Sequence, residues 1–252
     1  MTTPLTTRTI IRTAAAAVAL TLALGACRSG DHPSTPRNEP GAAPPAALDS
    51  PAPSGSGAQV ARSSTDLAVF AQPGDPSPAQ VLPATTTFGS ARALLIDGDD
   101  GDWLRALLPT RPNGSTGWIR RADVELRRVD EAIEVDLSAR TLRLLVDGQV
   151  VVTTPVAIGA PDNPTPTGRF YVVDKLATGD PDDTYGPVAF GLSGHSLRLG
   201  EFAGGDGQIG IHGTNDPASI GQAVSHGCIR LHNDVILQLA DLVPLGTPVV
   251  ID

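Results

Sequence analysis

The sequence is poor in cysteine, in aromatic residues and in basic charge. Of its 252 residues only two are Cys and 4% are aromatic, and 18 basic side chains stand against 27 acidic ones, for a net charge of -9. Two cysteines cannot build a disulfide-rich scaffold or a four-cysteine zinc site. An acidic chain also lacks the basic footprint of nucleic-acid binding, so we expect no nucleic-acid partner. The length allows one or two ordinary domains.

The first apolar segment, residues 13 to 24, is too short to span a bilayer comfortably. It follows a stretch with two Arg and no acidic residue, which predicts a secretory signal over residues 1–26. The small residues directly before Cys27 resemble the lipobox of bacterial lipoproteins. That resemblance implies cleavage before Cys27, lipid on this residue, and export to the outer face of the cytoplasmic membrane, or to an outer membrane if one exists, facing the cell wall. The alternative is an ordinary signal peptide with an incidental Cys27.

The chain after the signal divides by composition into three parts. Residues 27–65 are rich in Pro, Ala, Ser and Gly and have almost no large apolar side chains, which predicts a disordered, Pro-stiffened tether. Residues 66–128 show short apolar runs broken by turn signals such as Asp97-Gly98 and Asn113-Gly114, which predicts a small all-β module. Gly101-Asp102-Trp103-Leu104 followed by Gly117-Trp118-Ile119 resembles a bacterial SH3-like barrel. Such a module could recognise wall polymer or position its neighbour.

Residues 129–252 form the third part, which we predict to be mostly β with one helix. Apolar residues alternate through residues 133–137 and 142–146, and Asp147-Gly148 predicts a hairpin into the next strand. Asn233 is placed to cap a helix over residues 234–242, with Val235, Leu239 and Leu242 on one face. This part carries 16 acidic and six basic side chains. Its charge could attract an amine substrate, although solvated charge that favours solubility is the simpler explanation.

Cys228 is the only cysteine left if Cys27 is lipidated. A free thiol outside the cytoplasm is exposed to oxidation, so its retention suggests a chemical use. A thiol needs a nearby base or an electropositive setting to react near neutral pH, and either His212 or His226 could serve. Gly227 leaves backbone N–H groups unobstructed, which suits an oxyanion hole. Arg230 could hold a substrate carboxylate through a paired hydrogen bond.

The segments around these residues resemble one family. His212-Gly213-Thr214-Asn215, followed by Ser225-His226-Gly227-Cys228-Ile229-Arg230, resembles the signature of the L,D-transpeptidase catalytic domain, also called the YkuD domain. Thr165-Pro166-Thr167-Gly168 and Tyr185-Gly186-Pro187 also look like that family, and the similarity spans roughly residues 130 to 252. It implies a β-sandwich-like catalytic domain with one main helix.

The resemblance implies a cysteine acyltransferase acting on peptidoglycan stem peptides. A tetrapeptide stem would be the donor, the side-chain amine of diaminopimelate the acceptor, a 3-3 cross-link the product, and carbapenem-type compounds inhibitors, with no cofactor and no metal. Cys228 would be the nucleophile and His212 the general base, oriented by the Gly213 carbonyl. The backbone N–H groups of Gly227 and Cys228 would form the oxyanion hole. The predicted substrate-binding residues are Arg230, Ser225, His226, Thr214 and Tyr185.

Several alternatives remain open at this point. Water as the acceptor would give an L,D-carboxypeptidase, and a protein acceptor would give attachment of that protein to the wall. A non-catalytic wall-binding lipoprotein is the alternative outside enzymes, although such a relative would be expected to lose Cys228 or His212. A metal hydrolase would use His195, His212, His226 and Cys228, whose spacings match no zinc pattern.

Overall fold

The computed structural model of the chain describes residues 57–201 and 205–252. Within these residues, no helix combines the length and apolarity needed to cross a membrane. The predicted signal segment, Cys27 and the tether up to residue 56 lie outside the described residues, and the structure adds nothing about them.

The front half of the described chain consists of seven strands and one turn of 3-10 helix at Arg121–Asp123. The strands are β1 (Ala58–Ser63), β2 (Leu67–Val69), β3 (Gln80–Leu82), β4 (Arg92–Asp100), β5 (Trp103–Leu107), β6 (Thr116–Arg120) and β7 (Glu125–Val129). Five of them form an antiparallel sheet in the order β6-β5-β4-β1-β7, and β2 and β3 form a two-stranded sheet. The turn predicted at Asp97-Gly98 is absent because β4 continues through a bulge there, and the chain reverses at Gly101, whose φ is 65°.

Strand β1 corrects the predicted extent of the tether. It lies inside residues 27–65, yet it pairs with β4 on one side and β7 on the other and buries Val60 and Ala61 completely or nearly so. Its composition resembles the tether because only one large apolar residue is present. Two flanking strands nevertheless satisfy its backbone groups, which stabilises a strand that side-chain composition does not reveal.

The rear half has ten strands, one turn of 3-10 helix at Pro217–Ser219 and one α-helix. In chain order these elements are β8 (Glu131–Asp136), β9 (Thr141–Val146), β10 (Gln149–Pro155), β11 (Ile158–Gly159), β12 (Gly168–Ala177), β13 (Val188–His195), β14 (Gln208–His212), β15 (Ala223–Ser225), β16 (Ile229–Arg230), α1 (Asn233–Leu242) and β17 (Pro248–Ile251). Eight strands form one sheet in the order β10-β9-β8-β17-β12-β13-β14-β16. The prediction of a mostly β fold with one main helix is confirmed.

The sandwich-like shape of the rear half comes from a single sheet that curls. Strand β12 makes the corner: residues 168–171 pair with β17, residues 172–177 pair with β13, and the register shifts between Val172 and Asp174. Residues from both ends of the sheet then share one apolar core, in which Leu142 and Leu144 of β9 join Ile211 of β14 and Ile229 of β16. Burial of this core against water is the main stabilising contribution to the rear half.

Helix α1 packs on this core with a face different from the predicted one. Ile236, Leu239 and Val243 are buried, whereas Leu242 is 40% exposed. The spacing of three and four residues allowed either set, and Leu239 belongs to both. Asn233 is also not the cap: the helix is preceded by His232, which makes no side-chain capping bond. The Asn233 side chain is used elsewhere, as shown below.

The front and rear halves share apolar packing. Tyr171 and Val173 of β12 are buried in the cluster built mainly from front-half strands. Gly246 packs so closely on Val60 that an added Cβ would lie 2.4 Å from a Val60 methyl carbon. Thr86 of the front half also hydrogen-bonds to the buried carboxylate of Asp174. Residues 57–129 therefore pack as part of the same core system as the strands that follow.

Candidate active site

The predicted catalytic residues lie on two neighbouring parallel strands: His212 ends β14, and Cys228 directly precedes β16. Strands β14 and β16 pair through Ile211 with Ile229 and through His212 with Arg230. The same register places Gly210 beside Cys228, so the thiol follows a tight loop and lies next to the strand that carries His212. The topology alone thus brings together two segments that are separated in sequence by the β14–β16 connection.

The loop before Cys228 is held by its own hydrogen bonds. Ser225 Oγ donates to the Cys228 carbonyl at 2.5 Å and accepts the Gly227 N–H at 3.1 Å. Gly227 has a φ of 117°, a conformation that L side chains rarely adopt, so this loop requires glycine. The loop therefore presents the thiol in one defined backbone conformation.

His212 is buried, with only 3% of its surface exposed. Its Nδ1 donates to the Gly213 carbonyl at 2.5 Å, and since a carbonyl can only accept, this bond assigns the ring proton to Nδ1 and the lone pair to Nε2. Burial lowers the pKa of His212 to about 4, although the bond to Gly213 acts in the opposite direction. The imidazole is therefore neutral near pH 7, the state that a general base requires.

The Cys228 thiol is half-buried. Burial raises its pKa above the ordinary value, while hydrogen bonding from the Gly210 backbone and the positive charge of Arg230 act to lower it. Gly210 thus affects the pKa of Cys228 through its backbone, a contribution that the sequence motifs do not reveal. Its presence beside the thiol becomes visible only through strand pairing.

Two further side chains act on the imidazole, Tyr185 by ring contact and Arg230 by its charge. The Tyr185 ring packs edge-on against the His212 ring, with centroids 4.9 Å apart, and its backbone N–H donates to Asp183 Oδ1 at 2.7 Å. Arg230 is partly buried, and its Nε has no hydrogen-bond partner among the described residues. The charges of Asp183 and Arg230 act on His212 in opposite directions, Asp183 raising and Arg230 lowering its pKa.

Asn233 ties two loops of the site together, a role that sequence reasoning missed. Its Oδ1 accepts the Thr214 N–H at 2.8 Å and its Nδ2 donates to the Pro181 carbonyl at 3.0 Å. Added Cβ atoms at Gly186 or at Gly213 would each lie 2.4 Å from Asn233 Oδ1, so both loops close on this amide. The sequence offered only the capping preference of Asn, which predicts a different set of bonds.

Several residues predicted to bind the substrate or the oxyanion use their polar groups within loops or lie at the surface. Ser225 and Thr214 are buried, and the Thr214 hydroxyl accepts the Asp216 N–H at 3.1 Å, so both hydroxyls are used inside loops. The Gly227 N–H is likewise already donated to Ser225, which removes it from the predicted oxyanion hole. His226 is exposed at the surface. Thr214 and Ser225 each shape their own loop, because their hydroxyls bond to its backbone groups, as buried polar groups generally must.

His195, one member of the alternative metal set, lies apart from this arrangement. It is buried, and its Nε2 contacts Asp206 Oδ2 at 3.0 Å. No group of three or more His, Cys, Asp or Glu side chains within residues 57–201 and 205–252 could hold a metal ion.

Comparison with known proteins identifies relatives of the rear half. Residues 130–251 match the model of the YkuD family, the L,D-transpeptidase catalytic domain. YkuD and YqjB of Bacillus subtilis, both of which carry the L,D-transpeptidase name, are 41% and 35% identical to this chain. The matches cover 48% of this chain in each case, and 65% and 71% of the relatives. The chain thus spans slightly less than two thirds of the first relative.

A solved structure of the Enterococcus faecium L,D-transpeptidase catalytic domain is also similar. It is 29% identical, with a TM-score of 0.36, over 49% of this chain and 97% of that domain.

Proposed function

Since the chain belongs to the L,D-transpeptidase catalytic domain family, we propose that it is a cysteine acyltransferase that forms 3-3 cross-links between peptidoglycan stem peptides. The observation that carries this proposal is the buried, neutral His212 on the strand beside Cys228, with Nδ1 committed to the Gly213 carbonyl. That bond leaves Nε2 as the nitrogen available to take a proton from the thiol. His212 is buried on the strand beside Cys228, whereas His226 is exposed at the surface, which favours His212 as the base.

The proposed first half-reaction transfers the donor stem to Cys228. As the sulfur attacks the carbonyl carbon between the third residue and D-Ala, its proton moves to His212 Nε2. The carbonyl oxygen becomes an oxyanion, which the Cys228 N–H would stabilise. The carbon–nitrogen bond then breaks, D-Ala leaves as an amine after receiving the proton from His212, and a thioester remains on Cys228.

The proposed second half-reaction transfers the stem to an acceptor. The amine of a second stem attacks the thioester carbonyl, and His212 Nε2 takes the proton that this nitrogen loses. The carbon–sulfur bond breaks, the new amide is released, and the thiolate regains its proton from His212. Water in place of the amine gives an L,D-carboxypeptidase by the same steps, and a protein amine gives attachment of that protein to the wall.

Two side chains are proposed to bind the donor stem. Arg230 offers a buried Nε without a partner among the described residues, and an arginine can pair with a carboxylate through two parallel hydrogen bonds. Tyr185 is 37% exposed beside His212, where its ring can cover the bound stem and keep water from the thioester. Carbapenem-type compounds are expected to acylate Cys228, because they present an electrophilic carbonyl to the same nucleophile.

The test is incubation of the full chain with a tetrapeptide stem, followed by mass spectrometry. Release of D-Ala together with a cross-linked dimer is expected, whereas D-Ala with tripeptide alone would indicate the carboxypeptidase. Cys228→Ala should abolish both products, and Cys228→Ser is the matched variant that keeps a weaker nucleophile. Continued D-Ala release by Cys228→Ala would contradict the mechanism.

The front half and the N-terminal segment complete the proposal. We propose that residues 66–128, together with β1, are an SH3-like module, which the small all-β arrangement of β1 to β7 supports. We also propose a lipid on Cys27 that places the enzyme outside the cytoplasmic membrane, on the support of Leu24-Gly25-Ala26-Cys27. Radiolabelled palmitate incorporation that Cys27→Ala abolishes would support the anchor, and incorporation that persists would contradict it.

A further inference from the structure

The loop between β5 and β6 of the front half reaches the connection between β13 and β14. Arg111 Nη1 donates to the Ser196 carbonyl at 2.7 Å, and its Nη2 donates to the carbonyls of Leu199 at 2.8 Å and Asp206 at 2.9 Å. One guanidinium therefore binds three backbone carbonyls of that connection. Its planar set of donors can make such contacts simultaneously, which a lysine ammonium on a flexible stem does less well.

Asn113, two residues further along the loop, binds His195, the last residue of β13 before that connection. Its Nδ2 donates to the His195 carbonyl at 2.8 Å, and its Oδ1 accepts the His195 N–H at 2.9 Å. A side-chain amide that both donates to and accepts from one residue reproduces the exchange between paired residues of an antiparallel sheet. His195 is thus paired from outside its own sheet as well as within it.

This external pairing lies where the sheet itself is irregular. Strands β13 and β14 pair at Gly191 with Gly210 and again at His195 with Gln208, with a register shift between the two. A register shift interrupts the ladder and leaves the strand position less strongly specified by its own hydrogen bonds. Contacts from the front half can therefore determine how β14 is placed at its start.

A short path joins these contacts to the proposed nucleophile. The Ser196 N–H donates to the Gly207 carbonyl at 2.8 Å, which links the two sides of the connection. Strand β14 begins at the next residue, Gln208, whose side chain donates to the Leu192 carbonyl at 2.8 Å. Gly210 follows and lies beside Cys228 through the pairing of β14 with β16. Asp206 is thus only four residues before Gly210. A displacement of Asp206 can therefore move the Gly210 backbone group that faces the thiol.

We propose that Arg111 and Asn113 are positioning residues for the nucleophile: by binding residues 195–199 and Asp206, on the two sides of the β13–β14 connection, they set where Gly210 lies against the Cys228 sulfur. The front half then serves as a structural part of the catalytic unit. The inference rests on the proposed function only in taking Cys228 as the nucleophile.

The test measures the reactivity of Cys228 in the full chain without any stem peptide. Iodoacetamide alkylation is followed from neutral to alkaline pH, and the Cys228 peptide is quantified by mass spectrometry so that Cys27 does not contribute. For Arg111→Ala we expect the alkylation profile to move to higher pH and the rate at neutral pH to fall about threefold to tenfold, as a rise of half to one pKa unit produces. Arg111→Lys should give a smaller shift, and Asn113→Ala should shift the profile in the same direction.

Arg127→Ala is the matched control, because Arg127 is an exposed front-half arginine that forms an ion pair with the nearby Glu125. Its profile should equal that of the unaltered chain. An unchanged profile in Arg111→Lys and Asn113→Ala, with lower thermal stability, would overturn the proposal and leave a merely structural role. The same shift in Arg127→Ala would also overturn it. If stem peptides fail to react while these shifts are observed, only the proposed function fails.

Discussion

At the scale of single residues, the candidate catalytic pair is a buried imidazole beside a half-buried thiol. Burial disfavours the charged form of each: it lowers the pKa of His212 to about 4 and raises the pKa of Cys228. The two effects favour a resting pair of neutral thiol and neutral imidazole. In the proposed mechanism, proton transfer to His212 therefore accompanies the attack of the sulfur and does not precede it.

This charge state gives the first prediction. The ultraviolet absorbance difference between the unaltered chain and Cys228→Ser should show no Cys228 thiolate at neutral pH. The signal should appear only above the ordinary thiol pKa of about 8.5, because burial outweighs the contributions of Gly210 and Arg230. A thiolate signal near pH 7 would instead indicate a thiolate–imidazolium pair and would contradict the prediction.

The lowered pKa of His212 also predicts how stability changes with acid. Between the folded value of about 4 and the ordinary value near 6.5, the unfolded chain binds more protons than the folded chain. The free energy of unfolding should therefore be highest above about pH 6.5 and should fall as pH drops toward 4, by about 3 kcal/mol from this residue.

His212→Asn isolates this contribution, since its amide can still donate to the Gly213 carbonyl while it cannot take up a proton. Denaturant unfolding at several pH values should show a shallower acid dependence for the variant by that amount. Equal slopes for the two chains would show that His212 is not held neutral by the fold. The variant should also lose acyl transfer, because no other base is placed beside Cys228 in the proposed mechanism.

At the scale of elements, Asn233 at the start of α1 joins the loop before β13 to the loop after β14. Removing its side chain in Asn233→Ala would leave the Thr214 N–H without its acceptor and free the Pro181 carbonyl. We expect the free energy of unfolding to fall by about 1–3 kcal/mol, the range for an unsatisfied buried polar group. The acylation rate should fall as well, because Tyr185 lies on one of the two loops that separate and His212 directly precedes the other.

Asn233→Asp is the matched variant for this prediction. It keeps the oxygen that accepts from Thr214 and loses the donor to Pro181, so its stability should lie between those of the unaltered chain and Asn233→Ala. Single-turnover acylation by a carbapenem, measured by mass spectrometry, reports the effect on the site. An acylation rate in Asn233→Ala equal to that of the unaltered chain would show that the bridge does not position the catalytic loops.

The elements that could be predicted from sequence are those whose pattern is local. The alternation through β8 and β9 and the Asp147-Gly148 turn between β9 and β10 needed only nearby residues, and both residues of that turn have positive φ. Strand β1 could not be predicted, because β4 and β7 stabilise it from both sides. The buried face of α1 was also ambiguous, since the core below it decides between Ile236 and Leu242.

The candidate site, like the fold, could be predicted only where the sequence pattern is local. Cys228 and His212 could be named because their motifs are contiguous and chemically specific. The part of Gly210 could not, because it acts through its backbone and reaches Cys228 only by strand pairing. Ser225 and Thr214 were expected at the substrate, but a motif gives residue identity without the direction of the side chain, and both point into loops.

At the scale of the whole molecule, a core shared by the front and rear halves predicts cooperative unfolding. Tyr171 and Val173 of β12 pack into the front-half cluster, and Val60 of β1 packs on Gly246. Separating the halves would expose these apolar surfaces to water, which is unfavourable. Neither half is then expected to retain its structure while the other unfolds.

Two probes on opposite halves test this cooperativity. Both Trp residues, Trp103 and Trp118, lie in the front half, so Trp fluorescence follows its unfolding. The increase of the Cys228 alkylation rate over that of the folded chain follows the unfolding of the rear half. The two denaturant curves should coincide, as two-state unfolding requires. Val60→Ala should shift both by the same amount, about 2 kcal/mol, because it opens space in the shared packing. Loss of the Trp signal at lower denaturant, with Cys228 still protected, would instead show that the front half folds separately and does not brace the catalytic sheet.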